Sequence, residues 1–595
     1  MRLSSIAVAV ASVSGIAGAS DSCGNGPFPM SLCNGVKIED ATINTLQQWM
    51  ANGALTSQDL VTCYLARIEQ TNKYLHSISE VNPDALSIAA TMDQERVAGQ
   101  VRSPLHGIPF VTKDNYYTDD KHNTSEGTLV LLGGKFISEA TVVKKLRAAG
   151  GVLLGHSTMS EAADHRALSN YASGYSSRTG QTRNTYNLTQ PTAGSSSGSV
   201  VAVRTNQVAV AFGTETHGSL VHPSGQLGLY TIKSTPGLIS RYGIVTGSFW
   251  HDTPGALARS MADVALAMDI IVGPDAHDNL TFDAIGHYPE NGYYSQIADK
   301  DSLRGMKLGI PWDPYWSTIG HINSPGIREQ YEKSIQQLEA AGAEIYNITD
   351  SPFVGISNKY GGGQVSDVAP EFNHVVVFST LMAVGYGEYL ENWTFPEGDE
   401  RYGVSSLAEM AAWNRAHNDT TGALGNNTWW WDNSTGQSFY DAGVKTNGTM
   451  DTAFWTAFGN VRTSARRAID IAHAYVADNG SVVALDGILI PNGRGGNRGN
   501  ACASLPSFAG YPIAAVPLGL DGFSTPFGVC VYGRQFGEAK LVKVASAMED
   551  LFRWNERPQW YNYDTAKGPW DMPWPGYTCS DESQDRFACE PAASS

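Results

Sequence analysis

Gly213-Thr214-Glu215-Thr216-His217-Gly218-Ser219-Leu220-Val221-His222-Pro223 is the stretch on which the fold reading turns. It follows Val208-Ala209-Val210-Ala211-Phe212, a short apolar run that predicts a buried strand. The strand runs into a turn with glycines at 213 and 218 and reaches a serine at 219. Backbone N–H groups of such a turn, here those of Thr216, His217, Gly218 and Ser219, can converge on one point and hold an oxyanion. Taken alone, the segment also fits an ordinary β-turn.

Two upstream segments give it company. Gly194-Ser195-Ser196-Ser197-Gly198 formally matches G-x-S-x-G, with Ser196 as nucleophile. That motif needs a buried strand immediately before it, and residues 185–192 are polar and contain Pro191. The α/β-hydrolase elbow is therefore set aside, and in isolation the segment is a Gly/Ser loop. Further upstream, Ile108 to Thr112 predicts a strand that ends in Lys113-Asp114-Asn115. Such a lysine is usually a surface residue. Buried, it would be pushed toward its neutral, basic form.

Around these segments the chain alternates strand and helix. Residues 38–70 predict helix, with a cap at Thr56 to Asp59. Helices are also predicted over 140–149, 199–204, 261–272 and 540–552, and a strand over 152–154. Residues 483–535 alternate short apolar runs with Gly/Pro turns. Residues 350–460 are rich in Gly, Asn and Trp with weak periodicity, and are expected as helices and loops laid over the core. The Trp-rich 393–431 stretch reads as packing, with the lining of an apolar acyl or aryl pocket as the alternative. From Trp554 onward an irregular surface tail is expected.

In order and spacing, the three segments together resemble the amidase signature family. Ala193-Gly194-Ser195-Ser196-Ser197-Gly198-Ser199 resembles its serine-rich segment, Gly213 to Pro223 its nucleophile segment, and Leu105 to Asn115 its lysine segment. Thr158-Met159-Ser160-Glu161, Arg183-Asn184, Ser240 to Gly243, Asp252 to Ser260, Leu505 to Pro512 and Val531 to Phe536 extend the likeness. It is good over 38–275 and 480–552 and poor between them. The resemblance implies one large α/β/α domain with a mixed central sheet sandwiched by helices. It implies a Ser–cisSer–Lys triad: Lys113 the base, Ser195 the relay after a cis peptide bond, and Ser219 the nucleophile. Ser196 would hydrogen-bond Lys113, and the N–H groups of Thr216 to Ser219 would form the oxyanion hole. A carboxamide C–N bond would be cleaved through an acyl-enzyme, with neither metal nor organic cofactor. A catalytically impaired binding glycoprotein and an esterase on the same site are the alternatives.

This chain departs from the family pattern at four positions. His217 and Ser197 stand where the family has glycine, Glu215 replaces aspartate and Val221 replaces arginine. If the turn required positive φ at 217, the histidine would be strained there.

The rest of the sequence bounds the setting. The chain has 595 residues and a formal net charge of −18, and its lysines and arginines form no stripe. Nucleic acid is therefore not an expected partner; a small-molecule or peptide-like amide is. Arg2, the small apolar run Ile6 to Ile16 and Ala17-Gly18-Ala19 predict a signal peptide over 1–19, too short to span a bilayer. Ten N-x-S/T sequons agree with a secreted glycoprotein: Asn123, Asn187, Asn279, Asn347, Asn392, Asn418, Asn426, Asn433, Asn447 and Asn479. The organisation expected is a Cys-containing extension over 20–37, an amidase domain over 38–552 and a Cys-containing tail over 553–595. Among seven cysteines, Cys23 with Cys33 and Cys579 with Cys589 are expected as local disulfides. Cys63, Cys502 and Cys530 are left over, so at least one thiol is expected free or intermolecular. Oligomeric state is not legible.

Overall fold

The computed structural model describes residues 28–558 except 168–171, 189–191, 246, 318–325, 350–351, 354–372, 422–435, 478, 494–501 and 523, together with the backbone of 577–579 and 589–591. The signal-peptide and Cys23 expectations, Trp429 to Trp431, and the sequons Asn426 and Asn433 fall outside these residues.

The apolar runs form a mixed central sheet. Its strands in chain order are β1 (Ile78–Val81), β2 (Pro109–Lys113), β3 (Val152–Ser157), β4 (Val210–Glu215), β5 (Tyr230–Lys233), β6 (Thr253–Ala258), β7 (Lys307–Pro311), β8 (Glu344–Ile348), β9 (Gly487–Asn492), β10 (Ile513–Leu520) and β11 (Pro526–Tyr532). Across the sheet the order is β1-β3-β2-β4-β6-β5-β10-β11-β9-β7-β8. The trio β3-β2-β4 is parallel, as is β9-β7-β8, while the pairs between and outside them are antiparallel. Strands β2, β3, β4 and β6 are buried along their whole length. That explains why they read as continuous apolar runs rather than alternating ones. Helices flank the sheet, which gives the α/β architecture expected.

Local chemistry sets the helix ends. The predicted helix over 38–70 is two helices, Ile43–Ala51 and Ser57–Leu75. Gly53 at φ +77° lies in the break, and Thr56 with Asp59 makes a reciprocal capping box for the second helix. In the middle region, His374–Leu390, Leu407–Ala416, Ser438–Thr446 and Thr452–His473 are helical. The first of these is apolar on every side, and its Met382 and Ser379 pack against Gly443.

The cysteine pairing corrects two expectations. Cys33 pairs with Cys63 across 30 residues, with Cα atoms 5.7 Å apart, and not with Cys23. The extension is thereby tied to the helix Ser57–Leu75. Cys502 pairs with Cys530 on β11, again at 5.7 Å, so none of the three left-over cysteines is a free thiol. Contact in three dimensions, not nearness in sequence, chose both partners. The tail is not wholly irregular: Tyr577–Cys579 and Cys589–Pro591 form an antiparallel ladder with Cys579 opposite Cys589. Before it, the Trp554 ring lies 4.9 Å from the Arg204 guanidinium.

Candidate active site

Parallel pairing puts the carboxyl ends of β2, β3 and β4 side by side, where open α/β sheets bind ligands. Thr112 is in register with Phe212, and Lys113 with Ser157. Lys113 therefore ends its strand next to Thr214 near the end of β4. The serine-rich segment is pinned to the same edge. Ser157 Oγ and Ser199 Oγ share a 2.7 Å hydrogen bond, and Gly198 N–H donates to Thr158 O at 3.0 Å. A Cβ at Gly198 would come within 2.4 Å of Thr158 N, so only glycine lets the helix Ser197–Arg204 start this close to β3. The Gly194–Ser195 peptide bond is cis.

Lys113 is fully buried. Its Nζ lies 2.7 Å from Ser195 Oγ, 2.9 Å from Thr214 Oγ1 and 3.3 Å from Thr214 O. No carboxylate is among these partners. Burial pushes the lysine down to about 7, against the weaker pull of the Asp164, Glu126, Asp252 and Glu215 carboxylates. Nζ donates to all three oxygens, and with no carboxylate beside it burial weakens its hold on the proton.

Thr214 is a site residue that sequence reasoning missed. Its hydroxyl takes hydrogen bonds from Lys113 and, at 3.1 Å, from Asn115 Nδ2. Its backbone N–H donates to Ser196 Oγ at 3.3 Å, and that hydroxyl donates to Thr214 O at 3.1 Å. Ser196 thus bonds Thr214, not Lys113 as the resemblance implied. The available signal was a threonine near the end of a strand beside the lysine strand, but the pairing of β2 with β4 was not legible.

The loop after β2 is held by Asp114, which accepts from Ser125 Oγ (2.7 Å), Gly127 N–H (3.1 Å) and Arg178 Nη1 (2.8 Å). Asn115 carries the other side through Val245, whose N–H donates to its carbonyl at 3.0 Å. Glu126 in this loop is buried at φ +57° and takes a 2.5 Å hydrogen bond from Tyr386 Oη. Burial raises its carboxyl to about 8. Glu161 and Arg166 form a buried ion pair behind the loop, and Ser160 N–H donates to Ser195 O at 3.1 Å.

Ser219 sits in the turn after β4 and is 5% exposed. Its carbonyl accepts from Ser196 N–H at 3.3 Å, which brings the serine-rich segment against the turn. Ser219 Oγ has no protein hydrogen bond among the described residues. The positive φ of the turn, +97°, falls on Gly218 and not on His217, so the expected strain at 217 does not arise. A Cβ at Gly218 would meet the His222 ring at 2.5 Å. Glu215 accepts from the N–H groups of Leu220 (2.8 Å) and Val221 (3.0 Å), at the start of the helix Val221–Leu227. The Glu215 side chain thus caps the first N–H groups of this helix, and Val221 leaves it no cation at that position. Among the described residues the N–H groups of Thr216, His217, Gly218 and Ser219 have no protein acceptor.

His217 Nε2 is 3.0 Å from Ser504 Oγ, and burial pushes the imidazole down to about 3. His165 and His222 are likewise driven to about 4, so this flank is uncharged at neutral pH.

Comparison with solved structures places the fold. The peptide amidase of Stenotrophomonas maltophilia superposes with a TM-score of 0.74 at 32% identity, over 88% of this chain and 99% of that one. A peptide amidase bound to the competitive inhibitor chymostatin gives 0.75, with the same identity and coverage. Fold and likeness define a hydrolase acting on carbon–nitrogen bonds. Residues 59–360 match the amidase family. A putative amidase of Schizosaccharomyces pombe is 36% identical over 546 residues, 91% of this chain and 90% of its own length. A probable amidase of Arabidopsis thaliana is 32% identical over 87% of this chain and 91% of its own length. The chain belongs to the amidase family.

Proposed function

We propose that the chain is a secreted amidase that hydrolyses a carboxamide through Ser219, Ser195 and Lys113. The observation that carries this reading is the 2.7 Å contact between Ser195 Oγ and a fully buried Lys113 Nζ. Neutral Lys113 takes the proton of Ser195, and Ser195 takes that of Ser219 as the latter closes on a bound carbonyl. Apo hydrogen bonds of this kind tighten only in the Michaelis complex. Ser219 Oγ forms the C–O bond, and the oxyanion is held by N–H groups of the Thr216 to Ser219 turn, those of Thr216, His217, Gly218 and Ser219. The proton on Lys113 returns through Ser195 to the leaving nitrogen, the C–N bond breaks, and water repeats the sequence on the acyl-enzyme. The organic steps need no cofactor.

Likeness to peptide amidases supports a peptide-like amide as substrate. Secretion rests on the signal-peptide pattern over 1–19 and on exposed sequons at Asn279, Asn347, Asn447 and Asn479. Asn187 is buried, which argues against its use. The test is a fluorophosphonate probe followed by a panel of amides on purified mature protein. Labelling confined to Ser219, with turnover lost in Ser219→Ala, is the expected result. Full activity in Ser219→Ala would overturn the assignment.

A further inference from the structure

The segment beside the relay serine adopts a backbone that its residues do not favour. Ala162, Ala163 and Asp164 stand in succession at φ +53°, +54° and +68°. None is glycine, and in this region the Cβ of an L residue crowds the backbone carbonyl. Such a run persists only where the surroundings enforce it, and it clusters at ligand sites. The enforcing contacts lead straight to the site. Ser160 N–H donates to Ser195 O at 3.1 Å, and Ala163 N–H donates to Ser160 O at 3.0 Å. Gly174 N–H donates to Ser160 Oγ at 2.6 Å.

What the run delivers is one carboxylate. Asp164 Oδ2 takes a 2.9 Å hydrogen bond from Ser173 Oγ. A Cβ built on Gly194 would lie 2.8 Å from that same oxygen, so the carboxylate stands against the residue that precedes Ser195. Ala162 and Ala163 are buried, whereas Asp164, His165 and Ser173 are partly exposed. The carboxylate is therefore within reach of a molecule bound beside the relay serine.

The charge has no counter-ion. Among the described residues no lysine, arginine or histidine forms an ion pair with Asp164. The arginines of the surrounding loops are spent elsewhere, Arg166 on Glu161 and Arg178 on Asp114 and Glu80. Burial drives Lys113 toward its neutral form and keeps the His165 and His217 imidazoles uncharged. The other carboxylates around the lysine, Glu126, Asp252 and Glu215, are buried and supply no positive charge. A carboxylate withdrawn from water is costly unless a cation joins it, and burial raises the Asp164 carboxyl accordingly.

We propose that Asp164 is a specificity residue that receives an ammonium group of the substrate, so that amides with a positive charge near the scissile carbonyl are preferred over neutral ones and anionic ones are rejected. The proposal deepens the amidase reading and rests on it for the place of the carbonyl, at Ser219. The ammonium has two possible sources, the α-amino group of an amino-acid amide and a lysyl side chain. A charge-assisted hydrogen bond at a partly desolvated carboxylate favours the cation by roughly tenfold in affinity.

The test separates binding from turnover. Ser219→Ala protein is titrated calorimetrically with two matched sets of primary amides. Alaninamide against N-acetyl-alaninamide reads the α-ammonium. N-acetyl-lysinamide against its norleucine and glutamate counterparts reads the side chain. At least one cation is expected to bind roughly tenfold tighter than its neutral match, with the anionic amide weakest and the preference falling as salt rises. Adding Asp164→Asn, which keeps the side-chain size, should bring that preference to about twofold or less at an unchanged thermal midpoint. Equal affinity across both sets would overturn the proposal, as would a preference that survives in a folded Asp164→Asn protein. The salt dependence and the two amide sets decide the matter even if that variant does not fold. Wild-type turnover of all the amides without charge preference would leave Ser219 as nucleophile and refute only the role of Asp164. Charge-selective binding without turnover of any amide by the wild type would refute the hydrolytic assignment and leave the ammonium site standing.

Discussion

Replacing Thr214 with valine tests whether Lys113 works as a buried neutral base. Valine keeps the shape but removes Oγ1, which accepts from Lys113 Nζ at 2.9 Å and from Asn115 Nδ2 at 3.1 Å. Two buried hydrogen bonds at about 1–1.5 kcal/mol each predict a stability loss of about 2–3 kcal/mol. The effect on the base has a definite sign. Acceptors around Nζ favour the ammonium form, so removing one favours the free amine. About 1 kcal/mol of lost preference moves the lysine roughly 0.7 pH lower. The wild-type rate should fall as pH drops through about 7, because protonated Lys113 cannot accept the proton of Ser195. In Thr214→Val that acid limb should move toward lower pH. The plateau rate should also fall, by roughly ten- to a hundredfold, as the amine loses its aim. The assay is kcat/KM for a soluble primary amide from pH 5 to 9, read as ammonia release, with urea unfolding alongside. Thr214→Ser should restore both quantities. An acid limb that stays in place or moves upward would refute the reasoning.

Three further outcomes follow from the same geometry. Lys113→Met should abolish turnover yet raise the thermal midpoint near pH 6. Holding a lysine at about 7 rather than 10.5 costs roughly 5 kcal/mol below pH 7, and the unpartnered Ser195 and Thr214 hydroxyls return only part of that cost. The gain should shrink as pH rises from 7 toward 10.5, and thermal scans from pH 6 to 10.5 that show a lowered midpoint at pH 6 would contradict it. Gly218→Ala should cut kcat strongly, because its φ is +97° and the new Cβ would sit 2.5 Å from the His222 ring; kcat equal to wild type would show the turn to be adaptable. Removing the Cys33–Cys63 bridge by double alanine substitution opens a 30-residue loop and should cost about 3–4 kcal/mol by denaturant unfolding with kcat unchanged.

The parts of the site legible in the sequence were those written in local chemistry. Apolar strands ending at Lys113 and before Gly213, glycines at 198 and 218, and the Thr56–Asp59 capping box all act over a few residues. Their physical causes therefore show in a linear reading. Thr214 was not legible, because its role depends on which strand lies beside β2.

Residue order alone was enough for the family resemblance, the strand-and-turn frame and the three residues offered as the triad. Folding decided the rest. It chose Cys63 over Cys23 for Cys33, turned Ser196 from Lys113 to Thr214, and moved the positive φ onto Gly218 and off His217. It also buried Lys113 completely. The reason is common to all four: each depends on neighbours far apart in the chain and on the water they exclude. A lysine written after a strand is a surface cation until the sheet closes over it; only then does desolvation favour its neutral amine.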